Sequence, residues 1–421
     1  MSKQDTESPA GADAAGPPPR TRIYAALAHR DFRLLMAGNV ATQLGQWTQQ
    51  VGKGWLVYTL TESTLQLGLV SFFMGVGMFM GAPVGGALAD RFNRRRVILV
   101  SQVGLMVIAL ILAFLVLSDT VKIWHLYLGA LASGTCFATN GPSRQSLVHD
   151  LVGKRDLPNA IALNTVSMNS MRVIGPTIGG VLVGTVGIEG TFFVQAAGYV
   201  VAMAMVLMMR TPPQPQINER LPFLQSMVEG AKYARRDNTI ALLLLIGFVS
   251  GFLGMAYMQL LPAYVGNVLN ENKGSVLAYL MAAGGAGGLV GALIVTFLGE
   301  FRWKGRLLVA AVTTTGLLLL LLGGTSSFAF SIPVLAALGA AGAITLTLTN
   351  TLLQVNVADQ FRGRVMSLYF MLSFSLQPLG VLVSGAVAES VDLQPTIMAL
   401  GATLVAAMLL IVISSARIRR L

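Results

Sequence analysis

Only 11% of the 421 residues are charged and 54% are apolar, whereas a soluble globular domain carries about 25% charged residues, so the chain is an integral membrane protein. Its net charge of +11 does not point to nucleic acid, because the basic residues are spread between apolar runs rather than gathered on one face. One cysteine, Cys136, and three scattered histidines exclude an intramolecular disulfide and argue against a metal cluster, and no cofactor is expected.

Residues 1–22 are rich in Ala, Gly, Pro and Ser and lack an apolar core of signal-peptide length, which predicts a disordered cytoplasmic tail and a chain that keeps its start. A membrane crossing needs about 20 apolar residues. On that ruler twelve spans are expected, at 34–58, 65–88, 97–117, 123–144, 160–185, 190–209, 240–265, 275–298, 307–327, 331–355, 365–388 and 393–415. Lys and Arg cluster in alternate loops: Arg91 to Arg96, Lys154 with Arg155, Arg210 to Arg236, Arg302 to Arg306, and Arg362 with Arg364. The opposite loops carry mainly Glu62, Asp119, Glu189, Glu271, Glu389 and Asp392. The basic side is therefore read as cytoplasmic, with both termini on it.

The densest charge lies in Gly85-Gly86-Ala87-Leu88-Ala89-Asp90-Arg91-Phe92-Asn93-Arg94-Arg95-Arg96, between the second and third spans. Gly86 and Asn93 are expected to take left-handed backbone angles in a tight hairpin there. Residues 211–238 form the longest interior polar segment, and apolar residues at 224, 227, 228 and 231 predict an amphipathic helix at the cytoplasmic interface. This linker separates 23–210 from 239–421, six spans from six. The two parts echo each other. Thr139-Asn140 with Val148-His149-Asp150 is matched by Thr349-Asn350 with Val357-Ala358-Asp359, Gly175-Pro176 by Gln377-Pro378, and the Asp90 turn by a degenerate Glu300 to Arg306 turn.

Gly86, then Asp90 with Arg91 beside it, then Asn93 followed by Arg94 and Arg95, resembles the short cytoplasmic signature of the major facilitator superfamily, with Asn93 standing where that family usually has Gly. The segments His29-Arg30-Asp31-Phe32-Arg33-Leu34 and Trp55-Leu56-Val57-Tyr58-Thr59-Leu60-Thr61 look like the bacterial branch that includes enterobactin-type siderophore and macrolide exporters. Gly175-Pro176-Thr177-Ile178-Gly179-Gly180 is similar to the Gly-Pro-x-x-Gly-Gly motif of its drug antiporters. The resemblance implies an all-α fold of twelve transmembrane helices, in two six-helix bundles related by pseudo-symmetry. It also implies gating by Gly86, Asp90, Arg91, Arg94, Arg95, Glu300, Gly175 and Pro176, with Asp90 docking on the start of span eleven.

Asn39, Gln43, Gln46, Gln50 and Lys53 follow at intervals of four and three, which puts all five on one face of the first span. An unsatisfied amide in hydrocarbon costs several kcal/mol, so this face meets a water-filled cavity or serves as hydrogen-bonding glue between helices; for Lys53 the alternative is to snorkel to the outer interface near Trp55 and Tyr58. Arg172 is a charge set well inside a span, and such a group is a functional candidate by default; Asn169 and Thr165 share its face. By symmetry Thr135, Thr139 and Asn140, then Tyr257 and Gln259, then Thr345, Thr349 and Asn350 complete a pathway. The glycine run Gly284 to Gly288 is read as close helix packing. No Asp or Glu lies deep in any span, so no coupling site is assigned, and Arg172 with Lys53 favours an anionic or neutral polar substrate.

No motif for covalent catalysis or nucleotide binding occurs, so the chain is not read as an enzyme. The expected function is a secondary active exporter, an antiporter, of a small amphipathic or anionic molecule of siderophore or drug type. It is expected to work as a monomer in the cell inner membrane, with the proton as coupling ion. The alternatives are a non-transporting sensor or scaffold of the same fold, and an importer.

Overall fold

A computed structural model of the chain describes residues 25–210, 223–298 and 303–414, and among these all regular structure is helical. The elements are α1 (Arg30–Thr61), α2 (Thr64–Arg91), α3 (Arg94–Leu117), α4 (Ile123–Thr185), α5 (Ile188–Leu207), α6 (Phe223–Arg236) and α7 (Asn238–Phe252). There follow α8 (Tyr257–Ala263), α9 (Gly274–Leu298), α10 (Lys304–Gly323), α11 (Phe328–Asn356), α12 (Asp359–Phe370), α13 (Gln377–Val391) and α14 (Leu393–Ser414). Nine helices among the described residues are long and apolar enough to cross a membrane. The expected spans 34–58, 123–144 and 160–185 are helical but are not among those nine. These carry the amide row, Asn140 and Arg172.

Local chemistry sets the boundaries. The expected spans 123–144 and 160–185 belong to one run, interrupted at Gly153, whose φ of 68° and ψ of 175° turn the chain where a side chain would be strained. Asn93 does not take the left-handed angle expected of it. Its φ is −58°, and its side-chain oxygen accepts from the Arg95 N–H at 3.0 Å, capping the bare first turn of α3. Gly86 lies within α2 rather than in a turn. The spans expected at 240–265 and 365–388 are both broken in the middle, by the non-helical stretch 253–256 and by a π-turn at Met371–Ser375 just before Pro378. Pro378 has no N–H to continue the ladder, whereas Gly175-Pro176 passes through unbroken helix.

Two main packings join the first part of the chain to the second: α2 lies along α13, and the stretch of α4 from Arg172 to Val183 lies along α9. Within each part, α1 packs on α4 and α5, α9 on α11, and α10 on α14. The glycine run of α9 serves two faces at once. Gly284 and Gly287 approach the backbone of α11, while Gly285 approaches the carbonyl of Arg172, so a side chain at Gly285 would collide across the two halves.

One end of the bundle carries the arginines and is called here the basic end. There His29 meets Asp156 at 3.0 Å, Arg94 pairs with Asp150, and the Ala26 N–H donates to Asn159 Oδ1 at 3.0 Å. Helix α6 lies against the start of α12. Arg364 pairs with Glu229 at 2.7 Å, Tyr233 stacks on Phe361 at 4.3 Å, and the Ala358 N–H donates to the Tyr233 hydroxyl at 3.3 Å.

Candidate functional site

A cavity of about 1050 Å³ lies between the two halves. The interruptions in 253–256 and 371–375 both border it, through Gly254, Met255, Met371 and Ser373. Irregular backbone at membrane depth is tolerable there, because the freed polar groups face a cavity and not lipid. The buried hydroxyls of Ser250, Thr345 and Thr349 line it with no hydrogen-bond partner among the described residues, as does Arg172 Nε. Groups of this kind in native proteins normally find a partner in water or ligand.

From α1 the cavity receives Gln43, Gln46, Gln50 and Lys53, with Trp47 and Gln49 beside them. Arg172 reaches in from α4, with its guanidinium 5.2 Å from the Trp47 ring and Nη2 3.9 Å from Met258 Sδ. Tyr257, Gln259, Thr345, Thr349 and Asn350 border the same space from the second half, and Thr165 borders it from α4. Asn39 and Asn140 do not border it. Asn39 is buried with its Nδ2 donating to Asn164 Oδ1 at 3.0 Å, and Asn140 is buried in α4. Asn169, Thr135 and Thr139 also lie off the cavity, Thr139 sharing a hydrogen bond with Ser101 at 3.1 Å. Lys53 does not reach to the interface; it points into the cavity. Apart from Lys53 and Arg172 no charged side chain lines the cavity among the described residues.

Of the expected gating set, the side chains of Asp90 and Arg91 and the whole of Glu300 lie outside the described residues, and of Gly86 only its place in α2 is described. Arg94 turns inward to Asp150, and Arg95 donates to the Leu207 carbonyl at 2.6 Å. Gly175 is an α1 contact point: its carbonyl accepts from Thr48 Oγ1 at 3.1 Å, and its Cα faces Trp47. Pro176 is buried in the same helix.

The end away from the arginines is closed by bonds that cross between the halves. Gln50 Nε2 donates to Gln259 Oε1 at 2.7 Å, and the Tyr58 hydroxyl donates to Asn267 Oδ1 at 2.5 Å. Glu389, at the end of α13, accepts from the Thr64 N–H and Thr64 hydroxyl, both at 2.9 Å, and from the Leu65 N–H at 3.2 Å. A carboxylate thus caps the first turn of α2 from the other half, where bare N–H groups and the positive end of the helix dipole favour it. The Thr64 hydroxyl also donates to the Gly385 carbonyl at 2.9 Å. Below this seal the cavity opens toward the basic end, where Phe79 and Phe370 line it half-exposed. The sequence reading missed Trp47, Asn267, Thr64 and Glu389. In the sequence Tyr58 stands out as part of the exporter-like segment and as an interfacial aromatic, and Glu389 as a loop acid.

A family model described as Transmembrane secretion effector, of the major facilitator type, matches residues 21–420. The Staphyloferrin A transporter of Staphylococcus aureus (strain NCTC 8325 / PS 47) is 25% identical over 363 residues, covering 82% of this chain and 86% of that protein. The Enterobactin exporter EntS of Escherichia coli O9:H4 (strain HS) is 28% identical over 318 residues, 74% of each chain. Among solved structures, a POT family transporter in complex with a thioalcohol conjugated peptide superposes with a TM-score of 0.73 at 13% identity, covering 92% of this chain and 96% of that one. A bacterial homolog of the human lysosomal transporter Spinster, in an inward-facing and unoccupied conformation, gives 0.66 at 18% identity, again covering 92% and 96%. These structural likenesses speak for the fold.

Proposed function

Because the chain belongs to the transmembrane secretion effector family of the major facilitator superfamily, and is thus a multi-pass inner-membrane transporter of small molecules, not an enzyme, we propose that it is a secondary active exporter. In this reading twelve helices form two six-helix halves, 23–210 and 239–421, joined by the linker 211–238. The halves rock about a midplane site so that the cavity opens alternately to each side. The basic end is cytoplasmic by its Lys and Arg excess, and the conformation described above is then open to the cytoplasm. Its substrate is a small amphipathic or anionic molecule of siderophore or drug type, in keeping with the named activities of the relatives. The proton is the coupling ion, exchanged as in an antiporter, and the monomer is the working unit.

The observation that carries this reading is the cavity itself. It is sealed at one end by bonds between the halves and lined by an amide row and two cations with no acid among the described residues. A scaffold or sensor has no use for a row of amides and a guanidinium without a counter-charge around such a cavity, since polar groups at this depth cost free energy unless they are satisfied.

Purified protein in proteoliposomes, given imposed proton and sodium gradients and a panel of siderophores, antibiotics and organic anions, tests the proposal. Gradient-driven movement of at least one panel member out of the side bearing the basic end is expected. Arg172→Lys should keep more of it than Arg172→Met, because removing a buried charge that a substrate relies on costs roughly 2–5 kcal/mol. Facilitated movement that ignores both gradients would exclude coupling, and movement in the opposite direction alone would make the protein an importer.

A further inference from the structure

The two cations in the cavity stand at different depths. Arg172 faces Trp47 at 5.2 Å, and Lys53 lies six residues further along the same helix, about 9 Å along its axis at 1.5 Å per residue. Between these levels stands the Gln50–Gln259 amide pair. Around Arg172 the surface is apolar and soft, made by the Trp47 ring and the Met258 thioether. No carboxylate lines the cavity among the described residues, and Arg172 Nε has no partner. Neither cation gains a counter-charge from the cavity lining among the described residues, which is unfavourable at this depth.

We propose that the cavity is built for an elongated dianion, an acid group at each end of a flat apolar body, with one acid on Arg172 and the other on Lys53. This rests on the reading of the cavity as a substrate site, and it adds a charge number and a length. A molecule with one acid neutralises one station and leaves the other bare. A short dianion reaches one station at a time. A rigid rod of the right length reaches both, and its body lies along Trp47 and Met258, where aromatic and thioether surfaces accept a ring. Rigidity helps because no rotors are frozen on binding. The amides of Gln50 and Gln259 are placed to meet polar atoms on the edge of that body.

Three probes separate charge from length: para,para′-biphenyldicarboxylate, para-phenylbenzoate, which has the same shape with one acid, and terephthalate, which has two acids one ring apart. Their binding to the full chain in lipid nanodiscs is measured by calorimetry, with no transport step involved. The biphenyl dianion is expected to bind about tenfold or more tightly than either of the others, as a second tethered contact should give. Lys53→Gln should remove its advantage over phenylbenzoate, Lys53→Arg should keep it, and Arg172→Gln should lower the dianion to the level of the monoanion. Lys53→Met replaces Lys53→Gln if the latter does not fold.

Equal binding of dianion and monoanion to the unaltered protein, a preference that survives loss of Lys53, or no binding by any of the three would overturn the proposal. A protein that prefers the long dianion yet moves nothing in proteoliposomes keeps the two stations and loses the exporter reading. Transport of panel compounds with no such preference does the reverse.

Discussion

The two ends of the molecule are held by different kinds of bond. At the end away from the arginines, Gln50–Gln259, Tyr58–Asn267 and Glu389 on Thr64 and Leu65 all run from one half to the other. At the basic end the ion pairs His29–Asp156, Arg94–Asp150 and Arg364–Glu229 each stay within one half or between a half and the linker helix beside it. The first set resists separation of the halves. The second stiffens each half, and none of these three pairs bridges the halves. Glycines reinforce the difference: Gly68 and Gly385 let α2 and α13 touch backbone to backbone near the closed end, while Phe79 of α2 and Phe370 of α12 stand half-exposed nearer the open one. A rocking mechanism requires this asymmetry to reverse in the other state.

The comparison breaks most directly at Gly68. A Cβ there would sit 2.9 Å from the Leu382 Cα of the other half, and forcing extra methylenes into such a contact costs about 1–3 kcal/mol. Gly68→Leu should therefore prise the closed end apart, shifting the balance of the two states by roughly fivefold to 150-fold. A single cysteine at Ser250, which lines the cavity, in a Cys136→Ser background reports the shift. Its labelling by an impermeant maleimide added outside intact cells should rise, with Gly68→Ala intermediate. Unchanged labelling in a well-folded Gly68→Leu protein would mean that α2 and α13 do not control this end.

Glu389→Gln comes next. The change removes charge from a group that caps α2, worth about 0.5–2 kcal/mol for a cap and less at an exposed position such as this one. A severalfold rise in Ser250→Cys labelling is expected. Tyr58→Phe removes a single hydrogen bond with a net worth of about 1 kcal/mol and should give a similar or smaller rise. If Glu389→Ala and Tyr58→Phe both leave labelling unaltered, the cross-half bonds are bystanders and packing alone seals the end.

How much of this was legible in the sequence depends on the range of the interaction. The amide row of α1 has a helical period, so Gln43, Gln46, Gln50 and Lys53 could be put on one face before any contact was known. Nine of the twelve expected helix positions followed from apolar length in the same way. What could not be read were pairings between halves. Gln50 and Gln259 are separated by 209 positions, as are Tyr58 and Asn267, and Thr64 and Glu389 by 325. No periodicity links such residues, and Glu389 in a short loop looks like any acid that marks the outer side. Asn39 shows the opposite limit. It obeys the spacing of the row, yet it lies near the end where α1 meets residue 164 of α4, and its amide bonds to Asn164 and not to the cavity. Asn93 could stand where the family has Gly because a cap needs a side-chain acceptor and no left-handed angle.

The smallest expected effect sharpens the comparison from the other side. Glu229 and Arg364 sit on α6 and α12, both about a third exposed, at 31% and 30%. A pair so placed contributes about 0–1 kcal/mol, reduced further by salt. It ties the linker helix to the second half, together with the Tyr233–Phe361 stack at 4.3 Å, and it does not cross to the first half. Glu229→Gln should thus lower the melting temperature of the purified protein slightly or not at all, and leave Ser250→Cys labelling from outside where it was. Tyr233→Ala in addition should loosen α6, read as faster proteolysis at Lys232 and Arg235, again without moving the labelling. A rise or fall in labelling with Glu229→Gln as large as that from Glu389→Gln would place the linker helix in the gate itself. The basic end would then be held between the halves after all, and the difference between the two ends would be one of degree.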